Sequence, residues 1–223
     1  METIVHKTTA CSRFSHPEIS VLLDRRAGFS PDWLIQYFET EVGKGRVFKA
    51  GQTVQVGWGL VQLRDTTTGE LELWEPDFLS MPLHWQLGAN ETLRHLIVQK
   101  SLAEALQCEP DFPSLRQPGS VEHDWKRLAE FHLWRQPSHE NHSGWFFAAD
   151  TPAAAVEYTS LYELACHAPA AIAVMGLPQG AEAQLSRDSM EVRYAGRSIS
   201  SADNQLLRGL HSRYRDSLAH RPG

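Results

Sequence analysis

Between Arg46 and Trp74 the apolar spacing changes from a helical rhythm to strict alternation, as in Thr53-Val54-Gln55-Val56-Gly57-Trp58 and Leu60-Val61-Gln62-Leu63-Arg64. Alternation at period two fits a sheet with one buried and one solvated face. Asp65-Thr66-Thr67-Thr68-Gly69 is a polar turn, so Glu70-Leu71-Glu72-Leu73-Trp74 is expected to return as the partner strand. In that register Leu71 and Leu73 point to one face, and Glu70, Glu72 and Trp74 to the other. Helical signals stand on both sides. Ser30-Pro31-Asp32 is a helix start with Ser30 as N-cap, followed by Trp33, Leu34, Tyr37, Phe38 and Val42 on one wide face that ends at Gly43 and Gly45. Asn90-Glu91-Thr92 opens a second helix, with Leu93, Leu96, Ile97, Leu102 and Leu106 as its stripe. Ile19–Leu23 is expected as a further strand.

Pro110, Pro113, Pro118 and Gly119 crowd the stretch from Glu109 to Gly119, which marks a candidate linker. The expected organisation is therefore α+β, with two small domains at residues 1–110 and 119–223, each a mainly antiparallel sheet packed with helices. In the second, Leu128, Phe131 and Leu133 fit a strand within Trp125–Trp134, and Gly144-Trp145-Phe146-Phe147 fits another that stops at Asp150-Thr151-Pro152. Tyr158 onward reads as a helical turn or two cut by Pro169, then an apolar segment closed by Gly176 and Pro178. Short alternating pieces follow at Ala183–Leu185 and Glu191–Tyr194. A final helix, capped by Ser201-Ala202-Asp203, places Leu206, Leu207, Leu210, Tyr214 and Leu218 on one side.

Composition excludes several classes of function. The formal net charge is −6, and Lys44, Lys49 and Lys100 are scattered, so direct nucleic-acid binding is not expected. An acidic chain suits a basic protein partner. The apolar run Ala168–Met175 carries a Pro and falls far short of the roughly 20 residues that span a bilayer, so no membrane partner is expected. Met1-Glu2-Thr3-Ile4-Val5-His6-Lys7 lacks the basic-then-apolar layout of a secretion signal, which leads to the expectation of a cytoplasmic protein. Cys11, Cys108 and Cys166 are widely spaced and form no Cys-x-x-Cys, which argues for reduced thiols and against a disulfide framework or a structural zinc.

The order polar loop, Ser143-Gly144-Trp145, Phe147, then Tyr162, Leu164, Pro169, Ile172 and Gly180 resembles bacterial immunity proteins of the immunity-protein-33 type, whose Ser-Gly-Trp-x-Phe strand is followed by a helix and an apolar stretch. The resemblance covers roughly residues 120 to 195. Where such proteins carry acidic residues around the Trp motif, this chain has Ser138-His139-Glu140-Asn141-His142 and Ala148-Ala149-Asp150. The N-terminal half also resembles the segment that accompanies this domain in some bacterial proteins. The resemblance implies a stoichiometric inhibitor, without catalysis or cofactor, of a cognate toxin effector: a basic nuclease delivered by a secretion system such as type VI in interbacterial competition.

Catalytic motifs do not assemble from the residues. His139-Glu140-Asn141-His142 brings two imidazoles and a carboxylate together, but His-Glu-x-x-His and a third ligand are missing. Cys166-His167 are adjacent and cannot face each other on a helix. Gly57-Trp58-Gly59 lacks the third glycine and the following helix of a nucleotide loop. Two polar patches stand out as partner-binding candidates: Glu70, Glu72, Trp74, Glu75 and Asp77 on the hairpin and its exit, and Glu140, Asn141, His142 and Asp150 at the two ends of the Trp145 strand. Trp145 itself is expected in the core. A small-molecule or metal-binding enzyme using the His139–His142 loop, and a regulatory interaction module without a toxin partner, remain alternatives.

Overall fold

In a computed structural model, residues 2–139, 141–149 and 156–219 are described. The fold is α+β, built on two mixed sheets, and the chain divides into one unit up to Arg94 and a second from His95.

The first unit holds strands β1 (Thr3–Lys7), β2 (Ile19–Asp24), β3 (Thr53–Val56), β4 (Gly59–Asp65), β5 (Leu71–Pro76) and β6 (Trp85–Leu87), with helix α1 (Asp32–Gly43). Their order is β1-β2-β5-β4-β3, with β6 also paired to β5. The expected hairpin is present, Leu63 opposite Leu73 and Gln62 opposite Trp74. The β2–β5 pairing is parallel, a connection the alternation alone does not reveal. Helix α1 buries Leu34, Phe38 and Val42, the i, i+4, i+8 stripe, whereas Trp33 turns outward at 43% exposure. The wide face expected from Trp33 to Val42 is therefore narrower. Pro31, not Ser30, occupies the cap position, and the Ser30 hydroxyl accepts only the Asp32 N–H at 3.2 Å.

Helix α2 (Asn90–Ala105) begins in the first unit and continues in the second. Leu93, Leu96, Leu102 and Leu106 are buried as expected, but Ile97 is 43% exposed, off the stripe. The Pro-rich stretch after it is packed into the second unit: the Asp111 N–H donates to Gly176 O at 2.9 Å, Leu115 is fully buried, and Pro118 already opens a strand.

The second unit contains β7 (Pro118–Glu122), β8 (Phe131–Arg135), β9 (Trp145–Ala148), β10 (Val156–Ser160), β11 (Glu182–Leu185), β12 (Met190–Tyr194) and β13 (Arg197–Ser200), in the order β10-β7-β9-β8-β11-β12-β13. Among the described residues, the β7–β9 pairing is the one parallel pairing in it. Tyr158 lies in strand β10, not in a helix; helix α3 (Leu161–His167) starts after Ser160, whose hydroxyl caps it by accepting the Glu163 N–H at 3.1 Å. Pro169–Gly176 winds as a 3-10 run with nearly every side chain buried. Helix α4 (Gln205–Ala219) is capped by Asn204, whose side-chain oxygen accepts the Leu207 N–H at 3.1 Å. The expected cap residue Ser201 instead accepts the Met190 N–H at 3.1 Å.

One face of this second sheet carries the core. Phe131, Leu133, Trp145, Phe147, Val121, Ala183, Leu185, Met190 and Val192 are all buried on it. The Trp145 indole N–H donates to Met175 O at 3.2 Å, and the Phe131 and Tyr214 rings meet edge-on at 5.5 Å, so the 3-10 run and α4 pack here. Trp145 is 1% exposed, in the core as expected.

Candidate functional site: the open face of the second sheet

Because side chains alternate, the same strands place a second set on the opposite face. The register aligns Tyr158, Ser120, Phe146, Trp134, Glu182, Arg193 and Ser198 in one row across seven strands. A second row runs Ala148, His132, Gln184 and Glu191, and Glu122 falls on the same face of β7 as Ser120. The first half of this face is aromatic. Trp134 and Phe146 stack at 5.2 Å and 13°, His132 lies 5.1 Å from Trp134, and His142 bridges Phe146 at 5.9 Å and Tyr158 at 5.7 Å. Tyr158 is 72% exposed. A broad concavity of about 760 Å³ lies here, lined by Ser120, His139, Asn141, His142, Phe146 and Tyr158 among others.

The loop that borders it is held by buried polar contacts. Ser143, fully buried, donates through its hydroxyl to Pro118 O at 2.8 Å, and its N–H reaches the same oxygen at 2.9 Å. Gly144 has φ +83°, and a Cβ there would overlap the Gln136 carbonyl oxygen, so only glycine fits. The Gly144 N–H donates to His142 Nδ1 at 2.9 Å, which leaves Nε2–H to face Ser120 Oγ at 3.2 Å. The Nδ1 contact requires neutral imidazole, and burial together with the nearby His139 holds the His142 pKa below its ordinary value. The Ser-Gly-Trp motif is thus a device that shapes the loop.

Arg135, which the alternation of β8 turns inward, is the buried anchor of the same loop. Its guanidinium donates to Ser143 O at 3.2 Å, Asp111 O at 2.6 Å and Leu177 O at 2.5 Å, and pairs with the Asp111 carboxylate at 3.2 Å. Burial lowers its pKa, against the opposing pull of Asp111. Its place at the end of Phe131-x-Leu133-x-Arg135 is the signal that could have found it.

The residues expected at partner-binding sites fall in different settings. On the first sheet Glu72 and Trp74 share an outward face, but they are engaged with each other and with neighbours: the Trp74 indole N–H donates to Glu72 at 2.8 Å, and Arg64 lies 3.9 Å over the Trp74 ring. Glu70 pairs with Lys7. Asp77 accepts the Leu79 N–H at 3.0 Å. Glu75 is corrected: at 1% exposure it is not part of a surface patch but points inward with Leu71 and Leu73, accepting the Glu91 and Thr92 N–H groups at 3.1 and 2.7 Å at the start of α2. Burial raises its pKa despite those two bonds. Asn141 is exposed and His142 half-buried, and both line the concavity; Glu140 and Asp150 lie outside the described residues. Tyr158, Phe146 and Trp134 were not singled out from sequence, although Trp134 alternates with buried Leu133 and Arg135.

Among the described residues no three His, Cys, Asp or Glu side chains gather in a metal-binding cluster, and no helix is long and apolar enough to cross a membrane. Cys11, Cys108 and Cys166 form no disulfide with one another.

The fold and the site define an α+β chain whose second unit presents a sheet covered on one face and open on the other. Residues 98–195 match the family model of the Imm33-like domain, the kind of immunity-protein domain that the Ser143-Gly144-Trp145 motif implied. No curated protein and no solved structure matches the chain.

Proposed function

We propose that this protein is a cytoplasmic immunity protein that binds a cognate bacterial toxin effector and neutralises it by stoichiometric protein–protein inhibition, without chemistry of its own. The Imm33-like domain at residues 98–195 is the observation that carries this reading. The net charge of −6 supports a basic toxin, and a nuclease delivered by a secretion system is the class whose substrate channel has that character. The engagement of both His142 ring nitrogens within the chain supports a binding loop over a metal-dependent enzyme.

The test is co-purification of the tagged chain with the product of the gene beside it, followed by a toxicity rescue in cells. A one-to-one complex and restored growth are expected. Growth arrest that persists when the chain is co-expressed with each neighbouring product would refute the proposal.

A further inference from the structure

The open face of the second sheet has the chemistry of a receptor for positive charge. Its aromatic half offers ring faces, which attract cations through their negative quadrupole. Among the described residues lining the concavity none is Lys or Arg. His142 adds no charge either, since its Nδ1 accepts the Gly144 N–H at 2.9 Å and a proton there would set two donors against each other. The cation in the main row, Arg193, is taken up by Glu191 through two bonds of 2.8 Å. Glu182, exposed beside Trp134 in the register, and Glu122, beside the aromatic half, leave the face acidic.

The exposure of Tyr158 sharpens the point. A tyrosine ring 72% open to water, touching His142 edge-on, presents most of its surface to a partner. Tyr in such a position is a rigid anchor that orders at low entropic cost. A second copy of this chain would bring the same acidic face and the same net charge of −6, so charge complementarity favours a basic partner over self-association.

We infer that this face is the toxin-docking surface, and that the toxin inserts an Arg- or Lys-bearing segment into the concavity against Tyr158 and Phe146. The inference rests on the immunity reading and adds the surface and the partner chemistry to it. The acidic first-unit residues Glu70 and Glu72, already engaged by Lys7 and by the Trp74 indole N–H, stay outside the interface.

Calorimetry on the full chain tests this, with the inactivated product of the adjacent gene as probe. Tyr158→Ala is expected to weaken binding by about tenfold or more, as for a central aromatic anchor. Glu182→Lys is expected to weaken it several-fold and to flatten its salt dependence, while Glu72→Lys leaves affinity unchanged. Denaturation midpoints equal to that of the parent show that each variant is folded; Tyr158 and Glu182 are exposed, so both are expected to pass. Parent binding with Tyr158→Ala and Glu182→Lys both within twofold overturns the surface while the immunity reading stands. Tighter binding by Glu182→Lys overturns the cationic partner, and concentration-dependent self-association abolished by Tyr158→Ala, with toxin binding intact, assigns the face to a second copy instead. Failure of the parent chain to bind or rescue removes both readings.

Discussion

Replacing Arg135 with Met asks whether a buried cation stabilises this fold or merely occupies it. The side chain is 3% exposed, and it donates to three main-chain carbonyls from separate segments: Asp111, Ser143 and Leu177. Methionine matches much of the volume but none of the donors, so three carbonyl groups lose a charge-assisted partner. Each such loss costs about 1–3 kcal/mol when the group stays dry. Against this stands relief of the guanidinium's desolvation, several kcal/mol on its own. The Asp111 carboxylate is 59% exposed and screened by water, so its ion pair adds little to either side. The carbonyl losses come from segments that cannot all relax together, and the expected net is a destabilisation of about 3–5 kcal/mol. For a unit of this size that lowers the melting temperature by on the order of 10 °C. Urea titration followed by tryptophan fluorescence, with calorimetric melting as a second probe, reads it. A variant as stable as the parent would refute the reasoning, because it would mean that an apolar side chain serves the site equally well.

Other changes probe the same architecture. Gly144→Ala forces a Cβ into the Gln136 carbonyl at a φ of +83° and is expected to cost about 2 kcal/mol or more, with amide exchange rising around His142; unchanged exchange and stability would contradict the close approach. Glu75→Ala strips the Glu91 and Thr92 N–H groups of their acceptor and is expected to cost about 1–3 kcal/mol in chemical denaturation, whereas Glu75→Gln, which keeps one acceptor oxygen, costs less. Burial raises the Glu75 pKa above 4.5, so its contribution is complete below the unfolded value and declines as pH rises through the folded one; Glu75→Gln is expected to flatten that slope in a stability–pH series. For His142 the sign is opposite: its folded pKa lies below 6.5, so stability is full above that value and falls as acidification carries pH through the folded pKa. An NMR titration placing the His142 midpoint at or above 6.5 would count against the neutral ring that the Gly144 N–H to Nδ1 bond requires.

Strand and helix identity came through wherever a single period held. The hairpin of β4 and β5, the burial of Trp145 and the buried Leu93–Leu106 stripe all follow from counting residues. Reading failed where a residue's role depends on chain that arrives from elsewhere. By local propensity Tyr158 belongs with the helix formers that follow it, yet pairing with Ser120 of β7 draws Val156–Ser160 into the sheet. Pro118-Gly119 resembled a linker because Pro and Gly weaken isolated strands, but the pairings of β7 to β10 and β9 supply what local propensity lacks.

By itself, then, the sequence determined the alternating and helical faces, the acidic balance of −6 and the strand that follows Gly144, since these depend on the spacing and chemistry of near neighbours. Only the tertiary structure decided that Glu75 is inside and capping α2, that Arg135 ties Asp111, Ser143 and Leu177 together, and that Tyr158, Phe146 and Trp134 form one open face. Those placements depend on which strands pair and in what register. Register is set by burying a whole sheet face at once, a free energy that no local stretch of chain contains.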